Sequence, residues 1–132
     1  MKIKNLIIGA VSYIGASFLV QALSHFVINK EHYASISFMR TEPLMVFGLI
    51  TMLIQGVVLT TLYQKWANNE FSIKQGITFS LLAGLFFVSY LALVEPDKYA
   101  VSNVGEWMIV EGVAGLVQFT IFGTLLGKFV KH

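Results

Sequence analysis

The chain has 132 residues, of which 56% are hydrophobic and 12% charged, and its formal net charge is +2. Soluble domains carry about 25% charged residues, so the composition excludes an ordinary soluble domain and indicates an integral membrane protein. The lack of cysteine excludes disulfides and thiolate-bound metals, and the scattered basic residues argue against nucleic-acid binding. We expect an all-α fold: one transmembrane domain over residues 1–132, built as a four-helix up-down bundle.

The first predicted span covers about residues 5–28 and follows the basic start MKIK. It contains no Asp, Glu, Lys or Arg and is long enough to cross the roughly 30 Å hydrocarbon core. Ala22-Leu23-Ser24 resembles a signal-peptide cleavage site, so a secretory signal peptide is the alternative. Because the apolar stretch is long for a signal peptide, the pattern favours a transmembrane helix.

The second predicted span covers about residues 43–64. The mixed polar and aromatic segment 29–42 precedes it, and we expect that segment to lie on the membrane surface. Pro43 suits the first turn of a helix, where its missing N–H is no loss. The short polar turn 65–72 then predicts that the second and third spans are antiparallel neighbours.

The third predicted span covers about residues 73–94, and Pro96 is expected to stop it because proline cannot continue a helix. Small residues recur in this span at four-residue spacing, as Gly76, Ser80 and Gly84. Such spacing lets a neighbouring helix backbone approach closely, either inside the chain or in a second copy.

The fourth predicted span covers about residues 104–127, with Asn103 as its N-cap. One narrow face of this helix combines a single acid with polar, small and aromatic residues: Trp107, Glu111, Gly115, Gln118 and Phe122. An acid well inside a span costs roughly 2.5–3.5 kcal/mol on insertion scales, so it usually faces protein, water or a ligand.

Glu111 is the centre of the predicted ligand- or ion-binding site. It lies about 10 Å inside the membrane, at the same depth as Gln21, and His25 lies nearer the surface. Because the first and fourth helices of an up-down bundle are neighbours, we expect His25 and Gln21 to lie within reach of Glu111. Gln55 lies near the midplane, and Gln118 lies somewhat below it. No Lys or Arg lies deep in any span, so Glu111 must be protonated, paired with protonated His25, hydrogen-bonded to Gln or Tyr, or compensated by a ligand. The pattern contains no catalytic motif, and we expect neither a cofactor nor a metal.

Several segments resemble the small four-helix bacterial membrane proteins to which no agreed activity is attached. The similar features are the MKIK start, the third span ending in SYLAL, and the closing helix EWMIVEGVAGLVQFTIFGTLLGKF. The resemblance implies the architecture and assigns no site residue.

The orientation follows from the basic residues flanking the spans. Six of them fall on the side of the two chain ends (Lys2, Lys4, Lys65, Lys74, Lys128 and Lys131) and three on the other (Lys30, Arg40 and Lys98). The positive-inside rule therefore predicts a multi-pass protein of the bacterial plasma (inner) membrane with both termini in the cytoplasm.

Three functional classes fit this pattern. In the first, Glu111 binds a proton, cation or small ligand in a homo-oligomer or larger membrane complex. In the second, the protein is an accessory protein that holds a lipid or quinone without transport. The third, a membrane-embedded enzyme, ranks last. Only the His25–Glu111 pair could supply a catalytic base with an orienting partner.

Overall fold

The computed structural model of the chain describes residues 2–68 and 70–131, and these residues form helices with no strand among them. The elements are α1 (Ile3–Leu23) with a π-helical turn (Ser24–Ile28), α2 (Lys30–Ala34), α3 (Met45–Trp66), α4 (Ile73–Ser89) with a second π-helical turn (Tyr90–Val94), α5 (Glu95–Lys98) and α6 (Val104–Phe129). The predicted all-α fold is confirmed.

Within the described residues, four helices are long and apolar enough to span a membrane, covering Ile3–Ile28, Met45–Trp66, Ile73–Lys98 and Val104–Phe129. They are helical because a chain in lipid must satisfy every backbone N–H and C=O within itself. Consecutive long helices run in opposite directions. Asn5, near the start of α1, therefore contacts both Gln64 near the end of α3 and the Lys131 carbonyl after α6. We call this end of the bundle the terminal face and the opposite end, with residues 24–44 and 90–103, the loop face.

The closest packing is between α4 and α6, and it depends on glycine. A Cβ added at Gly76 would collide with the backbone of Gly123 and Gly127, and a Cβ at Gly123 would lie 2.7 Å from the Ile77 Cα. Ser80 is fully buried there and donates a hydrogen bond to the Phe119 carbonyl oxygen (2.7 Å). Gly76, Ser80, Gly123 and Gly127 therefore serve packing within the chain and are not free to contact a second copy.

The α1 helix packs on both α3 and α6, as expected for neighbours in an up-down bundle. At Gly56 the α1 and α3 backbones approach so closely that an added Cβ would lie 2.8 Å from the Ala10 Cα. The shared core lies towards the terminal face and consists of large apolar and aromatic side chains, with Tyr63, Phe122 and Leu126 fully buried.

The α3 and α4 helices meet only near the turn that joins them, so the predicted neighbour packing holds over only part of their length. Tyr63 and Trp66 contact Phe79 there, with ring centroids 5.4 and 5.7 Å apart. Every buried residue of α3 lies at or after Gly56, and its first half has no buried side chain. The two helices therefore diverge towards the loop face and leave a cleft between them.

The third span was predicted to stop before Pro96. It instead remains helical to Lys98. The turn before the proline is π-helical, with the Glu95 N–H bonded to the Tyr90 carbonyl oxygen. A π-helical hydrogen bond joins a carbonyl to the N–H five residues later, so the Leu91 carbonyl would pair with residue 96. Residue 96 is proline, which has no N–H to donate. The Trp107 indole N–H donates to Leu91 O instead (2.9 Å), so a neighbouring helix replaces the bond that proline removes.

The segment 29–42 does not simply lie along a membrane surface. Its first part forms α2, and Tyr33 and Ile36 pack with Trp107 of α6 as a small second core. The α2 helix therefore covers the loop-face end of α6, next to the predicted site.

Candidate functional site

The cleft between α3 and α4 has a volume of about 1000 Å³. Its walls are mostly apolar and include Phe47 and Met52 of α3 and Phe86, Phe87 and Leu91 of the third span. Its floor is formed by α1 and α6, which contribute the polar side chains Tyr13, Ser17, Gln21, Glu111 and Gln118. The site is thus a mostly apolar opening with a polar floor.

Gln118 is the centre of the hydrogen-bond network on the floor. Its Nε2 donates to Ser17 Oγ (2.9 Å), and its Oε1 accepts from Gln21 Nε2 (3.0 Å). Both partners lie one helical turn apart on α1, so a single buried amide fixes the register of α6 against α1. Because polar groups in a membrane interior need partners, this network is stable where an isolated glutamine would be costly.

Gln55 extends the polar floor to α3. Its Oε1 accepts a hydrogen bond from Tyr13 OH (2.8 Å), and both residues line the cleft. Gln55 thus holds α3 to α1 at the place where α3 begins to diverge from α4.

Glu111 bonds with a residue that the sequence pattern did not identify. Tyr33 OH donates to Glu111 Oε1 (2.7 Å), and the Tyr33 ring stacks on His25 with centroids 3.6 Å apart. His25 Nδ1–H donates to the Gln21 carbonyl oxygen (2.9 Å). Tyr33 therefore contacts both residues, and the observed arrangement of Glu111 is the hydrogen bond to a tyrosine rather than a direct pairing with His25.

The electrostatics of the cleft are acidic. No lysine or arginine occurs among the described residues that line it, whereas the carboxyl group of Glu111 does line it. At the loop face, burial and then the hydrogen bond and charge of Glu111 raise the pKa of the Tyr33 hydroxyl. Tyr33 therefore remains a hydrogen-bond donor to Glu111 at neutral pH.

The polar floor does not continue to the terminal face. Beyond Gln118 the next inward-facing residues of α6 are Phe119, Phe122 and Leu126, each at most 3% exposed. Phe122 and Tyr13 pack edge to face at 4.9 Å between ring centroids. Among the described residues, the cleft is therefore closed at one end by a buried apolar core.

The loop-face end of the site is covered by α2. His32 Nδ1 lies 3.3 Å from Glu106 Oε1, and its ring centroid lies 5.9 Å from that of Trp107. His32 Nε2 is buried and finds no hydrogen-bond partner among the described residues. The described His, Asp and Glu side chains form no group of three that could hold a metal ion.

Four of the five predicted site residues, Gln21, Gln55, Glu111 and Gln118, line the same cleft. His25 lies behind Tyr33 and does not line it. Gln21 contacts Gln118 and not Glu111, in contrast to the prediction. Tyr33 was missed because its segment has no helical periodicity. Only its aromatic side chain, next to charged residues in a short connection, could have indicated it.

Comparison with models of known protein families, with characterised proteins and with solved structures finds no match to this chain. The function must therefore be inferred from the cleft itself.

Proposed function

We propose that this protein binds an amphiphilic, lipid-like molecule from the bilayer. The apolar tail would lie between α3 and α4, and the head group would lie at the floor beside Glu111. The cleft carries this proposal: it holds about 1000 Å³, and its mostly apolar walls include Phe47, Phe86 and Phe87. Its floor brings the carboxyl of Glu111 together with the amide of Gln118. Ligand sites of this size are typically apolar with a few polar groups that fix the orientation.

The acidic character of the cleft restricts which head groups can bind there. An anionic head group would face the Glu111 carboxylate with no lysine or arginine among the described lining residues to compensate it. An amine, or a neutral group that donates hydrogen bonds, would instead find the acceptor oxygens of Glu111 and Gln55. We therefore favour a cationic or hydroxyl-bearing amphiphile.

A proton or cation carrier that uses Glu111 is the second candidate. The position of Glu111 favours it, because this acid lines the cleft with no lysine or arginine among the described lining residues, which attracts cations. The buried rings of Tyr63 and Phe122 block a polar path to the terminal face within the described chain. Transport would therefore require a second copy or a larger complex.

We further propose that the protein resides in a bacterial plasma membrane with both termini in the cytoplasm. The six-to-three distribution of Lys and Arg supports this orientation. A homo-oligomer or larger complex stays part of the proposal, and its interface would lie outside the α4–α6 glycines, which are occupied by internal packing.

Photolabelling tests the binding function. The purified protein in bilayer nanodiscs is exposed to a long-chain amine and to the matching alcohol, each with a diazirine in its tail. Gly48 lines the cleft, and a Cβ there would meet no atom within 4 Å. Gly48→Leu should therefore fill the cleft without distorting α3 and should lower labelling by both probes several-fold.

Gly15→Leu is the matched control, since Gly15 also has open space around it but does not line the cleft. Its labelling should equal that of the wild type. Glu111→Gln should weaken labelling by the amine more than by the alcohol. Equal labelling of the wild type and Gly48→Leu would show that no lipid-like ligand uses the cleft.

A further inference from the structure

A second cavity lies on the terminal face, away from the cleft. It has a volume of about 480 Å³ and is lined by Lys2, Lys4, Asn5, Ile8, Phe129 and Lys131. Three of these six residues are lysines, and two are apolar. None is acidic. The proposed amphiphile site does not use this cavity.

The lysines come from opposite ends of the chain and are brought together by Asn5. Asn5 is 6% exposed, and its Nδ2 donates to the Lys131 carbonyl oxygen (2.6 Å) and to Gln64 Oε1 (3.3 Å). These bonds hold the segment after α6 against the start of α1. The folded bundle therefore forms this cavity, because the Asn5 hydrogen bonds bring its lysines together.

The charge of this face is strongly positive. Six lysines fall on the terminal side of the chain, and Glu70, in the turn between α3 and α4, is the single acid there. The α1 helix begins at Ile3, so the positive end of its dipole adds to the charge of Lys2 and Lys4. Ile8 and the half-exposed Phe129 provide an apolar wall directly beside the ammonium groups.

We propose that this cavity binds the head group of an anionic phospholipid. The phosphodiester would contact Lys2, Lys4 and Lys131, and an acyl chain would lie along Ile8 and Phe129. Basic pockets between membrane helices recognise anionic lipid head groups by this combination of charge and adjacent apolar surface. The site would fix this end of the bundle in an anionic leaflet.

Native mass spectrometry of the detergent-purified full chain tests the site. Phosphatidylglycerol and phosphatidylcholine of equal chain length are titrated separately, and the retained lipids are counted. The double variant Lys2→Gln/Lys131→Gln should weaken phosphatidylglycerol retention about tenfold, because two ammonium groups leave the cavity. Lys65→Gln/Lys74→Gln removes the same charge from the same face outside the cavity, and it should retain the lipid as the wild type does.

Two further variants separate charge from geometry. Lys2→Arg/Lys131→Arg should keep binding. Asn5→Ala should weaken it without any change of charge, because the link to the segment after α6 is lost. Circular dichroism of each variant verifies the helical fold, so that the Lys→Gln and Lys→Arg pairs remain decisive if Asn5→Ala fails to fold.

Three results would overturn the proposal. Equal losses in the two Lys→Gln pairs would indicate diffuse attraction to the whole face. Equal retention of phosphatidylcholine and phosphatidylglycerol would show that the negative head group is not recognised. Displacement of the bound lipid by millimolar inorganic phosphate would assign the cavity to a free anion rather than to a phospholipid.

Discussion

At the scale of single residues, Tyr33 connects the loop face to the polar floor of the cleft. Its ring covers His25, and its hydroxyl is the donor that Glu111 uses. A hydrogen bond to Tyr was among the arrangements predicted for Glu111, but Tyr33 itself was not identified. The Asn103 cap, by contrast, was predicted and is confirmed, since Asn103 Oδ1 accepts from the Glu106 N–H (3.1 Å). Capping depends on adjacent residues, whereas the Tyr33 contact joins residues 78 positions apart.

Tyr33→Phe should destabilise the protein by about 1–3 kcal/mol at pH 7, because Glu111 loses its hydrogen-bond donor while the stacked ring is kept. Unfolding in SDS, followed by tryptophan fluorescence, measures the difference. Tyr99→Phe is the control: Tyr99 is 47% exposed, and the change there should be within about 0.5 kcal/mol.

The stability difference between the wild type and Tyr33→Phe should depend on pH. Burial and Glu111 raise the pKa of Tyr33 above its ordinary value of about 10. The stabilisation that the Tyr33 hydroxyl provides is therefore fully present below about pH 10. It is lost as the pH rises through the raised pKa of Tyr33 in the folded protein. The stability difference between wild type and Tyr33→Phe should shrink above pH 10. A difference that stays constant to higher pH would contradict the contact with Glu111.

At the scale of the helices, the local sequence predicted which helices exist better than where each helix ends. The start of α6 after Asn103 was placed correctly, but the third span passes through Pro96 to Lys98. A proline normally ends a helix because a carbonyl loses its donor. Here the indole of Trp107, eleven residues later in the chain, supplies that donor to Leu91. The residues next to Pro96 in the sequence do not reveal this contact, because Trp107 lies on the next long helix.

The tight α4–α6 contact gives the prediction at this scale. Gly123→Leu should destabilise the protein by about 3 kcal/mol or more, since an added Cβ meets the Ile77 backbone and overpacking is costly. Gly112→Leu is the control on the same helix, because a Cβ there meets nothing within 4 Å. SDS unfolding at several protein concentrations measures both. A loss that disappears on dilution would assign Gly123 to an interface between copies instead.

At the scale of the whole molecule, the cleft exists because α3 packs along only half its length. Phe47 is 63% exposed, whereas Tyr63 in the same helix is fully buried. The sequence predicts four spans, since length and hydropathy are enough for that. It does not predict the cleft, because a lipid-facing and a core-facing apolar residue have the same hydropathy. The polar residues were more informative, and four of those proposed from depth and helical face line one cavity.

Orientation in the membrane is the last property of the whole molecule that can be tested directly. The chain has no cysteine, so single cysteines can be introduced without background. Ser35→Cys on the loop face and Glu70→Cys on the terminal face leave all nine Lys and Arg residues unchanged. This matters because the basic residues set the topology, while acids contribute little. An impermeant maleimide added to intact bacterial cells should label Ser35→Cys at once. It should label Glu70→Cys only after the membrane is permeabilised. The opposite pattern would place the lysine-rich terminal face outside the cell, against the six-to-three charge distribution.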